Sequence, residues 1–228
     1  MVSLKKNPTL NDFQSFNRSV YGRPDDRMYS VTDLLTLSQR FAMRALKGIR
    51  KGAKDKIEVN LLVSFSFLFA LANRLHICLE DELWTRFPMQ CSYCAHSPCV
   101  CKKTKPLKRP RLKIDETLRP YTIREFQTMF SIIYPAERRT LAEAGMHMAE
   151  EFGEVAEALH NFLGQHQNKQ FEAVKHEIAD SISCVFSIAN SAKIDVSKGL
   201  ASMFKNNCHM CKEAPCVCTF DVIAKVRI

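Results

Sequence analysis

Glycine is scarce in this chain, with seven in 228 residues. Strict alternation of apolar and polar residues is also rare, and nearly every patterned segment shows helical spacing instead. No apolar stretch is long enough to span a bilayer. The longest, LLVSFSFLFALA from residue 61 to 72, reads as a buried helix, so no membrane partner is expected. The opening MVSLKKNP lacks the apolar core of a secretion signal. Eight of the ten cysteines fall in clusters of metal-binding type, so a reducing, cytoplasmic setting is expected rather than a disulfide scaffold. Acidic residues are missing from KKTKPLKRPRLK, Lys102 to Lys113, which holds seven bases and two prolines within a net charge of +9. That segment reads either as a solvated linker or as an arm for phosphate or nucleic acid. No aromatic residue lies among its charges, so the sequence gives a base-stacking platform little support.

What is present, twice, is one cysteine pattern. Residues 91–101 read CSYCAHSPCVC and residues 208–218 read CHMCKEAPCVC, so an internal repeat is the first thing to test. A shift of 117 residues pairs Phe69 with Phe186, Asn73 with Asn190, Leu83 with Leu200 and Phe87 with Phe204. A shift of 113 pairs Thr9 with Thr122, Phe13 with Phe126, Tyr21 with Tyr134 and Leu46 with Leu159. The difference of four fits a longer loop near Gln165 to Gln170 in the second half. The chain therefore reads as an all-α tandem duplication with three parts. These are a helical unit at 1–101, a basic linker at 102–121 and a second helical unit at 122–228, each unit ending in a four-cysteine knuckle. Helices are expected near 9–20, 30–50, 56–77 and 79–87, then 122–133, 139–164, 169–192 and 196–206.

Only the second half carries an acidic pattern: Glu150-Glu151-x-x-Glu154, then Glu177-x-x-Asp180. At 100° per residue, Glu151 and Glu154 flank the apolar stripe of one helix, and Glu177 and Asp180 lie on the same-handed flank of the next. If the two helices pack antiparallel, these flanks open on one side of the seam and the four carboxylates converge. Such a cluster repels itself unless cations compensate, and Mg2+ or Mn2+ suit carboxylate oxygens. One E-E-x-x-E alone would more simply be a solvated helix face. A di-iron bundle is the nearest metal rival through Glu157-x-x-His160. It needs a second Glu-x-x-His, and the next helix offers Glu177-x-x-Asp180 in its place.

The paired motif resembles the signature of the MazG-like, all-α nucleoside triphosphate pyrophosphohydrolases over about 122–207. The resemblance implies a helical bundle that binds Mg2+ and converts a nucleoside triphosphate to a monophosphate and pyrophosphate. It implies metal ligands at Glu151, Glu154, Glu177 and Asp180, with Glu150 in a supporting role. It also implies a lysine and an asparagine near the phosphates, for which Lys205 and Asn207 stand in the right region. Met203 occupies the position where the lysine is expected. Arg138 and Arg139 are alternative phosphate contacts, and also read as a solvated pair at a helix start. Phe126, Met129, Phe130, Tyr134 and His147 could line a base pocket, although ordinary core packing explains them first. Assembly through helix packing, as a homodimer or as a monomer whose first half serves as a built-in partner, follows from the same resemblance.

The first half has none of these acids. Ser38, Phe41, Asn60 and Val63 stand in register with Glu151, Glu154, Glu177 and Asp180. It should not bind the catalytic cation. Each knuckle offers four thiols, Cys91, Cys94, Cys99 and Cys101 or Cys208, Cys211, Cys216 and Cys218. Each set is enough for one closed structural Zn2+. An iron–sulfur cluster and disulfides are the alternatives. His96 and His209 are expected as exposed non-ligands, and Cys78 and Cys184 as core. The expected function is a Mg2+-dependent pyrophosphohydrolase. Its rival is a non-catalytic, zinc-containing regulatory or nucleic-acid-binding module on the same fold.

Overall fold

The computed structural model describes residues 4–225, and the terminal residues of both expected domains, 1–3 and 226–228, lie outside the described range. Among the described residues there are helices and no strands. The long helices are α1 (Leu10–Met28), α2 (Val31–Arg50), α3 (Lys54–Arg74), α5 (Ile123–Ile133), α6 (Leu141–Gln165) and α7 (Asn168–Ala192). The short ones are α4 (Leu79–Arg86), α8 (Val196–Met203) and α9 (Phe220–Lys225). Capping boxes start α1, α2, α5 and α6 at Thr9 with Asp12, Ser30 with Asp33, Thr122 with Glu125 and Thr140 with Glu143, and α7 at Gln167 with Gln170. Each side chain satisfies a backbone donor that the first helical turn leaves unpaired. Among the described residues, no single helix is long and apolar enough to cross a membrane.

Two compact units make up the chain: Met1–Leu79 with Asp195–Ile228, and Glu80–Ile194. This corrects the expected division at 1–101, 102–121 and 122–228. In the first unit, α1, α2 and α3 pack with α8 and the second cysteine segment. In the second, α5, α6 and α7 pack with α4 and the first cysteine segment. The reason lies in the anchors. Phe204 packs tilted against Phe13 at 5.8 Å, joining a cluster with Phe65 and Phe69. Phe87 meets Phe130 edge-on at 5.2 Å, and Phe130 stacks on Phe186 at 5.4 Å. Because the two halves offer the same aromatic anchor, the end of one half fits the helices of the other, as in domain swapping. The basic linker is likewise part of the second unit. Trp84 Nε1 donates to Glu116 at 2.9 Å, and Arg119 pairs with Glu80 and Asp81.

Each cysteine segment is tied to a helix by a backbone bond that local sequence makes available. Helix α1 runs on through Pro24 rather than ending near residue 20. Proline has no N–H to give the Val20 carbonyl, and Cys216 N donates to it instead, at 2.7 Å. In the second unit α5 stops at Ile133, whose end-of-helix carbonyl accepts from Cys99 N at 2.8 Å.

In the first unit, the positions facing one another across α2 and α3 are occupied by small polar and apolar groups. The Ser38 hydroxyl donates to the Ser64 carbonyl, and the Ser64 hydroxyl to the Ser38 carbonyl, both at 2.9 Å. The turn between these helices is tight at Gly48, where an added Cβ would lie 3.0 Å from Ile57 N and 3.1 Å from Ile57 Cγ1. Alanine is the better helix former by about 1 kcal/mol. Overpacking against backbone costs about 1–3 kcal/mol, and backbone cannot rotate away. Gly48→Ala is therefore expected to lower stability to urea, followed by circular dichroism, by about 1 kcal/mol net. An unchanged or raised midpoint would show that the α2–α3 turn relaxes freely.

Candidate metal and substrate sites

Helices α6 and α7 bring three of the expected acids together. Glu151, Glu177 and Asp180 each place a carboxylate oxygen within 4.8 Å of the others. Glu151 Oε2 and Glu177 Oε2 are buried without a hydrogen-bond partner. Glu154 is exposed at the rim, near enough for its charge to act on Glu177. Glu150 is exposed and outside the cluster, as are Glu157 and His160 of the di-iron alternative.

The structure adds a residue that helix periodicity did not point to. Arg86, at the end of α4, forks onto Asp180, with Nε to Oδ1 at 3.0 Å and Nη2 to Oδ2 at 2.5 Å. Both side chains are 13% exposed. A guanidinium suits this place because it stays charged when buried and matches a carboxylate with two parallel bonds. The sequence did hold a signal for it, since the 117 shift pairs Arg86 with Met203, the position lacking the expected lysine. On the other side, His147 Nε2 lies 3.0 Å from Glu151 Oε1, and His147 Nδ1 lies 3.2 Å from Cys184 Sγ. His147 is held protonated above its ordinary range, first by Cys184 and then by Glu151. Its ring is half exposed, so solvent weakens the pairing without changing its direction. Complete burial pushes the Cys184 thiol up, against the opposing pull of His147.

The remaining expected residues are dispersed. Arg139 stands by Tyr134: its guanidinium is 5.6 Å from that ring, its charge reaches Cys184, and Nη2 is buried without a partner. Arg138 instead donates to the Cys99 carbonyl at 3.2 Å and braces the cysteine segment. Lys205 and Asn207 belong to the unit that lacks the acids. Their assignment beside Glu177 and Asp180 assumed that a helix serves the half it follows in sequence. Phe126, Met129 and Phe130 are 0–2% exposed and belong to the core.

The cysteine sets suit one ion each. Four sulfurs held 2.3 Å from a tetrahedral centre lie about 3.8 Å apart. Cys91 and Cys101 are 3.8 Å apart, Cys94 and Cys99 3.9 Å, Cys208 and Cys218 3.9 Å, and Cys211 and Cys216 3.8 Å. These separations are far too long for disulfides, and all ten cysteines are free. Backbone N–H groups of Cys101, Met210 and Cys218 point at thiol sulfurs at 3.4–3.5 Å. Without a cation the thiols compete for negative charge. Cys91 is pulled down to about 4, chiefly by its hydrogen bond with Cys99, while burial pushes Cys101 up to about 12. An ion that accepts four thiolates ends that competition. His96 is exposed, as expected of a non-ligand. His209 is only half-exposed, and its Nδ1 is buried without a partner.

Comparison with family models, curated proteins and solved structures returns no match.

Two outcomes follow from this geometry. Protein purified without chelator should hold two metal ions per chain by elemental analysis, with Cys99→Ser and Cys216→Ser each losing one. Retention of both ions by either variant would remove that cysteine from the ligand set. For the acids, burial first and then Asp180, Glu154 and Glu151 raise Glu177 to about 7 from 4.5. A raised carboxyl means the folded state holds its proton longer than the unfolded one. Stability therefore falls as pH rises from about 4.5 to about 7. Without added divalent cation, the urea midpoint should drop between pH 5 and pH 7.5, and Glu177→Gln should flatten that drop. A slope unchanged in Glu177→Gln would assign it to other groups.

Proposed function

We propose that this chain is a divalent-cation-dependent nucleoside triphosphate pyrophosphohydrolase of MazG-like type. In this reading it is built from two related halves, of which the second carries the chemistry, and two structural zinc ions close the cysteine segments. One observation carries the reading. Three carboxylates from consecutive helices converge within 4.8 Å, and two of their buried oxygens lack any partner. A cluster with unpartnered acceptors fits hard cations better than it fits a structural ion pair. Mg2+ or Mn2+ held there would neutralise phosphate charge and supply a nucleophile competent near neutral pH.

The chain's own residues divide the remaining work. Glu151, Glu177 and Asp180 form the ligand set, and Glu154 extends it at the rim. Arg86 places a guanidinium beside the acids, and Arg139, near Tyr134 and Cys184, offers a second one to a triphosphate chain. Arg86 takes the part that the resemblance gives to a lysine. His147 shields Glu151 and orients it. Zinc fits the thiol sets because their separations match four-coordinate Zn–S geometry, with no place left for a further ligand.

A second reading has its own observation. Apart from Lys102, which pairs with Glu143, the cations of the 102–113 segment make no ion pair among the described residues. Lys105 and Arg109 lie 5.0 and 4.8 Å from the Tyr93 ring. The aromatic residue missing from the basic run in sequence is thus supplied from the cysteine segment. That surface fits a nucleic-acid-binding module.

The deciding assay is pyrophosphate release from ribo- and deoxynucleoside triphosphates with Mg2+, using folded, metal-replete protein. Glu151→Gln and Glu177→Gln are each expected to lose at least about 100-fold in rate, equivalent to about 2.7 kcal/mol in the barrier. Absence of release from every triphosphate would sink the hydrolase. Salt-sensitive binding of a single-stranded oligonucleotide, abolished by replacing the bases of 102–113, would then establish the second reading.

A further inference from the structure

Each cysteine segment has a tyrosine against it that the ligand sets do not explain. Tyr21 and Tyr134 stand in register under the 113 shift. The Tyr21 hydroxyl hydrogen-bonds with Cys208, and the Tyr134 hydroxyl with Cys91, the first cysteine of the segment in both cases. Two further contacts recur around them. The carbonyl of the preceding residue accepts from the third cysteine, Val20 from Cys216 N at 2.7 Å and Ile133 from Cys99 N at 2.8 Å. The anchoring ring, Phe204 or Phe87, meets the tyrosine edge-on, with centroids 6.2 Å apart in both units and planes at 77° or 79°. The charges nearby do not recur. Arg138 and Arg139 stand in register with Asp25 and Asp26, and Arg86 with Met203. The tyrosine therefore goes with the cysteine segment and not with the acidic cluster.

Phenylalanine would fill the same space. What tyrosine adds is one O–H, and a hydroxyl packed among rings is costly unless it is bonded. At Tyr21 the roles are fixed by a second contact. Its oxygen accepts from His209 N at 3.1 Å, which leaves its single proton for Cys208 Sγ. A metal-bound thiolate has no proton to give, so it can only accept. Other sulfurs are served from within the segments, Cys99 by Cys101 N at 3.5 Å and Cys216 by Cys218 N at 3.4 Å. The tyrosine bond comes instead from the helix bundle, from α1 in one unit and from the end of α5 in the other.

We infer that Tyr21 and Tyr134 are positioning residues of the two metal centres, each donating its O–H to a metal-bound thiolate, Cys208 or Cys91. Retention of each ion then depends on the packed bundle as well as on its four ligands. The bond fixes the direction of the sulfur and draws electron density from the thiolate, which slows its protonation and displacement. Donors that orient metal ligands in this way are typically worth about tenfold to a hundredfold in metal affinity. The inference rests on the zinc reading of the thiol sets and is independent of the hydrolase.

The test uses the full chain, loaded with Zn2+ and checked by elemental analysis, then mixed with an excess of a chromogenic chelator. Tyr134→Phe and Tyr21→Phe should each release one of the two ions about tenfold faster than the wild type, and the other at the wild-type rate. Tyr29→Phe is the control. Tyr29 is also buried, but its hydroxyl makes no hydrogen bond among the described residues, so this variant should keep both rates. A second readout separates the hydrogen bond from ring packing. In the Co2+-substituted chain, loss of the donor raises the energy of the thiolate electrons. The thiolate-to-cobalt charge-transfer band should therefore move to longer wavelength in Tyr134→Phe and Tyr21→Phe, and stay in place in Tyr29→Phe. A wild type that binds no zinc would overturn the zinc reading and this inference together. Two bound ions with release unchanged in the tyrosine variants would overturn the inference alone, as would faster release with an unmoved band. Should one variant lose the helical circular dichroism of the wild type, the other carries the test, because the geometry is the same in both units.

Discussion

The second unit depends on the balance of charge around Asp180. Helices α6 and α7 crowd three carboxylates together, and burial favours the neutral forms of Glu177 and Asp180. Arg86 is the group that makes this arrangement tolerable, because a buried carboxylate with a bidentate guanidinium is far less costly than one without. The same contact locates α4, and with it the cysteine segment that follows, on the α5–α7 helices. The acidic cluster and the placing of the knuckle are therefore one problem with one solution.

That solution has a counterpart in the first unit, reached with different chemistry. There α2 and α3 are joined by reciprocal Ser38–Ser64 bonds, and no clustered acids need balancing. Met203 can stand where Arg86 stands in register because nothing at Ser38, Asn60 or Val63 requires a cation. Phe204 still seats α8 against Phe13, so the clasp survives without its charged component. Aromatic packing and the backbone bond from Cys216 to Val20 suffice. Pro24 shows how local covalent structure feeds this design: a residue expected to break a helix instead frees the carbonyl that the cysteine segment uses.

Much of the fold was legible from residue spacing. Apolar residues at helical intervals located the long helices to within a few residues, apart from the continuation of α1 past Pro24. The convergence of Glu151, Glu177 and Asp180 was legible too, because flank angles on two packed helices follow from a 100° rotation per residue. Glu154 was placed less well, since its angle put it on the right flank but could not say that it would stay at the solvent edge. Tyr93 beneath Lys105 and Arg109 was invisible, as the aromatic ring and the cations are separated in sequence and meet only through the fold of the cysteine segment.

The sequence by itself determined the helices, the pairing of the acids and the two tetrads of thiols. All three are set by short-range spacing, which covalent geometry converts directly into position. Only the tertiary structure decided which helix end serves which bundle. Phe87 and Phe204 are equivalent anchors, and a chain with two alike halves can satisfy both pairings equally well at the level of residue type. Once α4 was seated against α5 and α7, Arg86 rather than Lys205 became the cation of the acidic cluster. The physical reason is that charge acts through space, and the distance between Arg86 and Asp180 is fixed by packing, not by the 93 residues that lie between them.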